Sequence, residues 1–138
     1  MEFFAEDMYR ENIMDHFKNP RNHGVVNDAD IVFADNNPLC GDEIGVTAKL
    51  AKDKAGNKII AEIKFNGKGC AISQASASML TEQVVGMKLE EVKKMKNEEV
   101  IKNLGIPLQP IRVKCALLGF KVLEAGIFLY EGRKVSGK

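Results

Sequence analysis

Tyr9, Ile13 and Phe17 recur at helical spacing, and Asn19-Pro20 follows as a stop, so the first segment predicts one amphipathic helix. Ile31-Val32-Phe33-Ala34 is a short apolar run between Asp30 and Asp35-Asn36-Asn37-Pro38, and its length and β-branching predict a strand. From Ile44 the alternation is clean, with Ile44, Val46, Ala48 and Leu50 on one face and Gly45, Thr47 and Lys49 on the other. Ile59, Ala61, Ile63 and Phe65 repeat that pattern. Between the two runs, Lys52-Asp53-Lys54-Ala55-Gly56-Asn57 has the residues of a hairpin connection. The three runs predict an antiparallel meander.

After Cys70 the period changes to that of a helix, with Ile72, Ala75 and Met79 on one stripe and Gly86 as the candidate stop. The small Ala and Ser residues around that stripe allow close approach of neighbours. Residues 88–102 hold five Lys and four Glu around Leu89, Val92 and Met95, which reads as a solvated helical face over a narrow apolar stripe. A last helix is expected from Val113 to Leu129, with Leu118, Val122, Ala125 and Leu129 inward. Gly119 and Gly126 each cost that helix about 1 kcal/mol of propensity, which packing must outweigh. No repeat or Pro-rich linker interrupts the chain, so residues 1–138 are read as a single α+β domain with helices on one face of a three-stranded sheet.

Composition narrows the function. The 138 residues, 45% of them hydrophobic, suffice for one core. Lys and Arg total 20 against 19 Asp and Glu, so the basic excess a nucleic-acid binder needs is missing. Aromatic residues make up 7% and Trp is absent, leaving little for stacking bases or sugars. No secretory h-region or long apolar run is present, so a cytoplasmic protein without membrane insertion is expected. Three cysteines remain, Cys40, Cys70 and Cys115; the odd count makes no disulfide framework, and the wide intervals exclude C-x-x-C motifs. Count alone favours three unrelated buried thiols.

Their neighbours change that reading. Cys40 and Cys70 lie fifteen residues either side of Ala55, which places both at one end of the hairpin. Both have glycine beside them, in Leu39-Cys40-Gly41-Asp42 and Gly67-Lys68-Gly69-Cys70. Cys115 follows Pro107 and Pro110 near the start of the last helix. Cys70 and Cys115 are thus expected at helix starts, where the dipole together with Lys68 and Lys114 favours thiolate, the form that binds soft metals and attacks sulfur electrophiles. Asp42 offers a carboxylate for iron or zinc, or a base, or simply a turn cap. His16 reads as structural and His23 as a loop residue, while Met8, Met14 and Met79 fall on or near apolar stripes.

Four separated motifs, in order, resemble the IscU/NifU family of iron-sulfur cluster assembly scaffolds. They are Asp15-His16-Phe17-Lys18-Asn19-Pro20-Arg21-Asn22, Asn37-Pro38-Leu39-Cys40-Gly41-Asp42, Gly67-Lys68-Gly69-Cys70-Ala71-Ile72-Ser73 and Leu108-Gln109-Pro110-Ile111-Arg112-Val113-Lys114-Cys115. The resemblance implies an α+β fold of SufE/NifU-like type whose Cys40, Asp42, Cys70 and Cys115 meet at one exposed end as ligands. It also implies sulfur from a cysteine desulfurase of IscS/NifS type, iron, a transient [2Fe-2S] cluster, and delivery to apo iron-sulfur acceptor proteins, with a homodimer left open.

Two positions depart from the family pattern. Lys114 stands where bacterial scaffolds have a His, and an ammonium with a pKa near ~10.4 is a poor ligand, so Asp42 is the better fourth ligand and Lys114 is expected to hold the Cys115 thiolate by charge. Gln109 replaces a proline of the segment that a dedicated Hsp70-type chaperone recognises, which argues against that partner. A second reading is a zinc-bound SufU-type persulfide relay, for which three Cys and Asp42 also make a plausible set. The 45-residue interval from Cys70 to Cys115 leaves no evident room for the insertion those relatives carry there.

Overall fold

The computed structural model describes residues 2–39 and 41–135, with side-chain surroundings for 6–39 and 41–132. Along the chain come α1 (Glu2–Lys18), β1 (Ile31–Asn37), β2 (Asp42–Lys52), β3 (Lys58–Lys68), α2 (Ala71–Val84), α3 (Leu89–Lys93), α4 (Asn97–Lys102) and α5 (Pro110–Val135). The strands form an antiparallel sheet in the order β1-β2-β3, as the meander requires. Helix α5 lies on β1 and β2, α2 lies on β3, and α1 packs on α2, outside the sheet. Residues 22–24 bond along the free edge of β3 through Asn22 O, Gly24 N and Phe65. His23 there sits edge-on to the Phe65 ring, 5.4 Å between centroids.

In β2 the expected alternation holds: Ile44, Val46 and Ala48 are buried and Leu50 packs against the same core. In β3 it fails halfway, since Ile60 is buried in place of Ile59 and Ala61. Lys49 pairs with Glu62 but Leu50 with Ile60, so Ala61 is an extra residue that switches which side chains face inward. A β-bulge of this kind flips the faces without changing composition, which is why alternation alone misplaces it.

The helices depart from their stripes in similar ways. In α1 the inward residues are Ile13 and His16, whereas Tyr9, Phe17, Met8 and Met14 are substantially exposed. Helix α1 meets the rest of the molecule along one narrow line, and the Tyr9 ring lies against Gly105 instead. The charged segment forms two short helices because Glu91 and Glu99 each reach back to a preceding backbone N–H, of Lys88 and Lys96. Leu89, Val92, Met95 and Val100 are buried beneath them.

Helix α5 begins at Pro110, three residues before the expected start, and is buried on two sides through Leu118 and Val122 on one and Phe120, Leu123 and Ile127 on the other. A methyl group at Gly126 would stand 2.7 Å from Ile31, and one at Gly119 would stand 3.2 Å from Ala77. The two glycines therefore trade helix propensity for contact with β1 and α2. Leu129, expected inward, is exposed, and Tyr130 beside it packs against the core instead.

His16 ties α1 to α2. Its Nδ1 is 2.8 Å from Ser78 Oγ, which also accepts the Arg21 N–H, and its Nε2 is 3.7 Å from the Glu82 carboxylate. Burial holds the His16 pKa below the ordinary imidazole value, Arg21 adds to this, and Glu82 and Asp15 oppose it. The unfolded chain therefore takes up this proton more readily than the folded one. His16 contributes full stability above the unfolded value near ~6.5 and loses it as pH falls through that value towards the folded one. Urea midpoints at about pH 7.5 and 5.5 should show this loss in the parent and a smaller one in His16→Gln. Equal losses in the two proteins would place the acid sensitivity elsewhere.

Candidate metal centre

The bulge in β3 also decides which residues meet at the end of the hairpin. Glu43 pairs with Lys68 and Ile44 with Gly67, one residue out of register with a hairpin centred on Ala55. Continued along the strands, that register sets Cys70 beside Gly41 and Asp42. At this end of the hairpin Cys70 accordingly meets Asp42, whose Oδ1 accepts the Cys70 N–H at 2.7 Å and whose Oδ2 receives the thiol at 3.7 Å. Asp42 is fully buried, so it is neither an exposed turn cap nor solvated. Cys40 lies outside the described residues.

The backbone before Cys70 is shaped to let this happen. Gly67 and Gly69 have φ of +141° and +147°, a region that favours glycine. A side chain at Gly69 would run into the Asp42 carboxylate and backbone, and one at Gly67 into the Glu43 carbonyl. Cys70 then caps α2, its Sγ accepting the Ser73 N–H at 3.4 Å. A thiol at that N-cap faces the positive end of a 14-residue helix, as expected from the sequence.

Cys115 is placed differently. It lies in the second turn of α5, not at its start, so the helix dipole acts on it weakly. Its Sγ donates to the Ile111 carbonyl at 3.5 Å, and the residue is fully buried. One ligand atom each from Asp42, Cys70 and Cys115 falls within 4.8 Å of the others, a set with one hard carboxylate and two soft sulfurs. The chain thus brings together three of the four expected ligands. Among these three Cys70 is partly exposed, and Asp42 and Cys115 are buried.

The charge at this site comes from a residue that neighbour reading missed. Arg112 has its guanidinium pKa raised, first by the Cys70 thiolate and next by a hydrogen bond with Cys115. Lys68, by contrast, is largely exposed and reaches Glu43 at 4.0 Å, and Lys114 is exposed on α5. Adjacent residues on a helix point about 100° apart, whereas residues three apart share a face. With α5 starting at Pro110, Arg112 and Cys115 meet that spacing; a start at Val113 hides it. His16 lies in the α1–α2 contact, apart from these groups.

Fold and site define a small α+β protein whose sheet end, α2 N-terminus and α5 converge on thiol and carboxylate groups. The family model for the NifU-like N-terminal domain matches residues 8–136, and the chain belongs to that family. It is 41% identical to the zinc-dependent sulfurtransferase SufU of Bacillus subtilis over 144 aligned positions, covering 92% of this chain and 94% of that protein. It is 36% identical to the iron-sulfur cluster assembly scaffold protein IscU of Aquifex aeolicus, over 86% of this chain and 73% of that one. Among solved structures, a Fervidobacterium islandicum protein assigned to cluster scaffolding in the SUF system superposes with a TM-score of 0.69 at 32% identity, covering 89% of this chain and 98% of that one. A NifU-like protein of Brucella abortus, at 20% identity and TM-score 0.69, shares the fold.

Proposed function

We propose that the chain is an assembly scaffold rather than a turnover enzyme: one cytoplasmic domain on which iron and sulfur are joined into a transient [2Fe-2S] cluster. Cys40, Asp42, Cys70 and Cys115 are its ligands, a cysteine desulfurase of IscS/NifS type supplies sulfur, and apo iron-sulfur proteins receive the cluster. The observation that carries this reading is the convergence of the Asp42, Cys70 and Cys115 ligand atoms within 4.8 Å. Iron-sulfur clusters are held by thiolates, and a single oxygen ligand among them suits a cluster that must leave. The IscU relatives support the same assignment.

A zinc-bound persulfide relay is the second reading, favoured by the 41% identity to SufU. Zinc accepts the same mixed sulfur and oxygen set. The SufU alignment is longer than the 138 residues of this chain, so SufU carries residues that this chain lacks. Anaerobic incubation with ferrous iron and sulfide, followed by visible absorption and metal analysis, separates the two. Sulfide-to-iron charge-transfer bands support the scaffold, and a colourless protein that retains zinc supports the relay.

A further inference from the structure

The three converging side chains are carried by two parts of the fold. Asp42 and Cys70 are joined directly, by the 2.7 Å bond from the Cys70 N–H to Asp42 Oδ1 at the start of α2. Cys115 is carried by α5, so its place relative to Cys70 follows from how α5 sits on α2. The two helices meet on small side chains: a methyl group at Gly119 would stand 3.2 Å from Ala77, and Ala75 and Ala116 are buried in one cluster. Apolar contact of this kind is non-directional; it sets how closely two helices approach and resists a small slide along their axes only weakly. Ser76 adds the directional contact. Its Oγ donates to the Ala116 carbonyl at 2.7 Å, and both residues are buried.

The other buried hydroxyls of α2 have different partners. Ser73 and Thr81 donate back to carbonyls of their own chain segment, those of Cys70 and Ser78, a common habit of helical Ser and Thr. Ser78 meets His16 and the Arg21 N–H on the side that faces α1. Of these four, Ser76 is the one that reaches α5. The Ala116 carbonyl has no need of it for satisfaction, because inside α5 it is placed to accept from Phe120 four residues on. The bond therefore fixes a position rather than rescuing an orphaned group. Ala116 follows Cys115, so the fixed point lies about 1.5 Å along the α5 axis from that ligand. We infer that Ser76 is a positioning residue of the metal centre: by holding Ala116 it sets where the Cys115 sulfur stands relative to Cys70 and Asp42. The inference rests on the metal-centre reading and is the same whether a cluster or zinc occupies it.

The test compares the chelator-treated full chain with Ser76→Ala and Ser78→Ala, measuring zinc affinity anaerobically against a chromophoric chelator and the visible spectrum of the cobalt(II) form. Ser76→Ala should bind zinc about tenfold more weakly and shift the cobalt ligand-field bands, which report ligand geometry. Ser78→Ala removes an equally buried hydroxyl of the same helix. It should lower the urea midpoint further, since His16 and the Arg21 N–H lose a partner, yet keep the parent's zinc affinity and cobalt spectrum. Unchanged affinity in Ser76→Ala, equal losses in the two variants, or a loss accompanied by the parent's cobalt spectrum would each overturn the inference while leaving the metal centre intact. A parent chain that bound neither zinc nor cobalt would reject the metal centre itself, and the positioning role with it.

Discussion

Changing Asp42 to Ala should make a reconstituted cluster outlast the parent's by about tenfold under chelator challenge, while making the apo protein less stable by about 1–3 kcal/mol. The two effects have one origin. Asp42 is fully buried, and its Oδ1 accepts the Cys70 N–H at 2.7 Å. A carboxylate with such a partner can leave iron for that hydrogen bond, opening the position at which a chelator or an acceptor thiol attacks. Hard oxygen is also a weaker match than thiolate for iron in sulfide surroundings, so this is the ligand that departs most easily. In Asp42→Ala a thiol from the reconstitution mixture fills that position, a softer ligand that iron holds more tightly, while the Cys70 N–H loses its acceptor, which accounts for the stability loss. Decay of the visible bands measures the first effect and the urea midpoint the second. Decay as fast as the parent's would sink the lability argument even if the stability loss appeared.

The residue types of this site were legible because their chemistry survives errors of geometry. Asp42, Cys70 and Cys115 do converge, although the hairpin arithmetic that joined the first two cysteines was off by one residue. The error traces to Ala61, an ordinary strand residue whose bulge depends on packing of Ile60 and Ile63 into the core. No local signal marks it. The alternating β2 was readable throughout because both its neighbours are in the sheet and one face is buried continuously. Helix α1 was less readable, since it touches α2 along a single line and leaves Tyr9 and Phe17 partly exposed. Arg112 was hidden by a boundary: Pro110 suits the first helical turn, and starting α5 there puts Arg112 and Cys115 on one face. The contrast between a partly exposed Cys70 and a buried Cys115 belongs to tertiary packing, which cysteine spacing does not encode.

Gly69→Ala should destabilise the protein strongly and disturb the candidate metal centre with it. Gly69 has φ +147°, and its new Cβ would collide with the Asp42 carboxylate and stand 2.8 Å from the Asp42 Cα. Backbone strain in that region costs about 1–3 kcal/mol, and overpacking adds a similar amount, so a loss of about 2–4 kcal/mol is expected. Gly56→Ala is the control that separates the two contributions. Gly56 also has a positive φ, +88°, but a Cβ there meets nothing within 4 Å, so only the conformational cost remains, about 1 kcal/mol. The urea midpoint should therefore fall much further for Gly69→Ala than for Gly56→Ala. Only the first should also impair iron and sulfide reconstitution, because any shift that relieves the collision moves Asp42 away from Cys70. If Gly69→Ala formed a cluster as readily as Gly56→Ala at equal folded fraction, the Asp42–Cys70 contact would be incidental to the site, and the close approach of β3 to Asp42 would serve the fold alone.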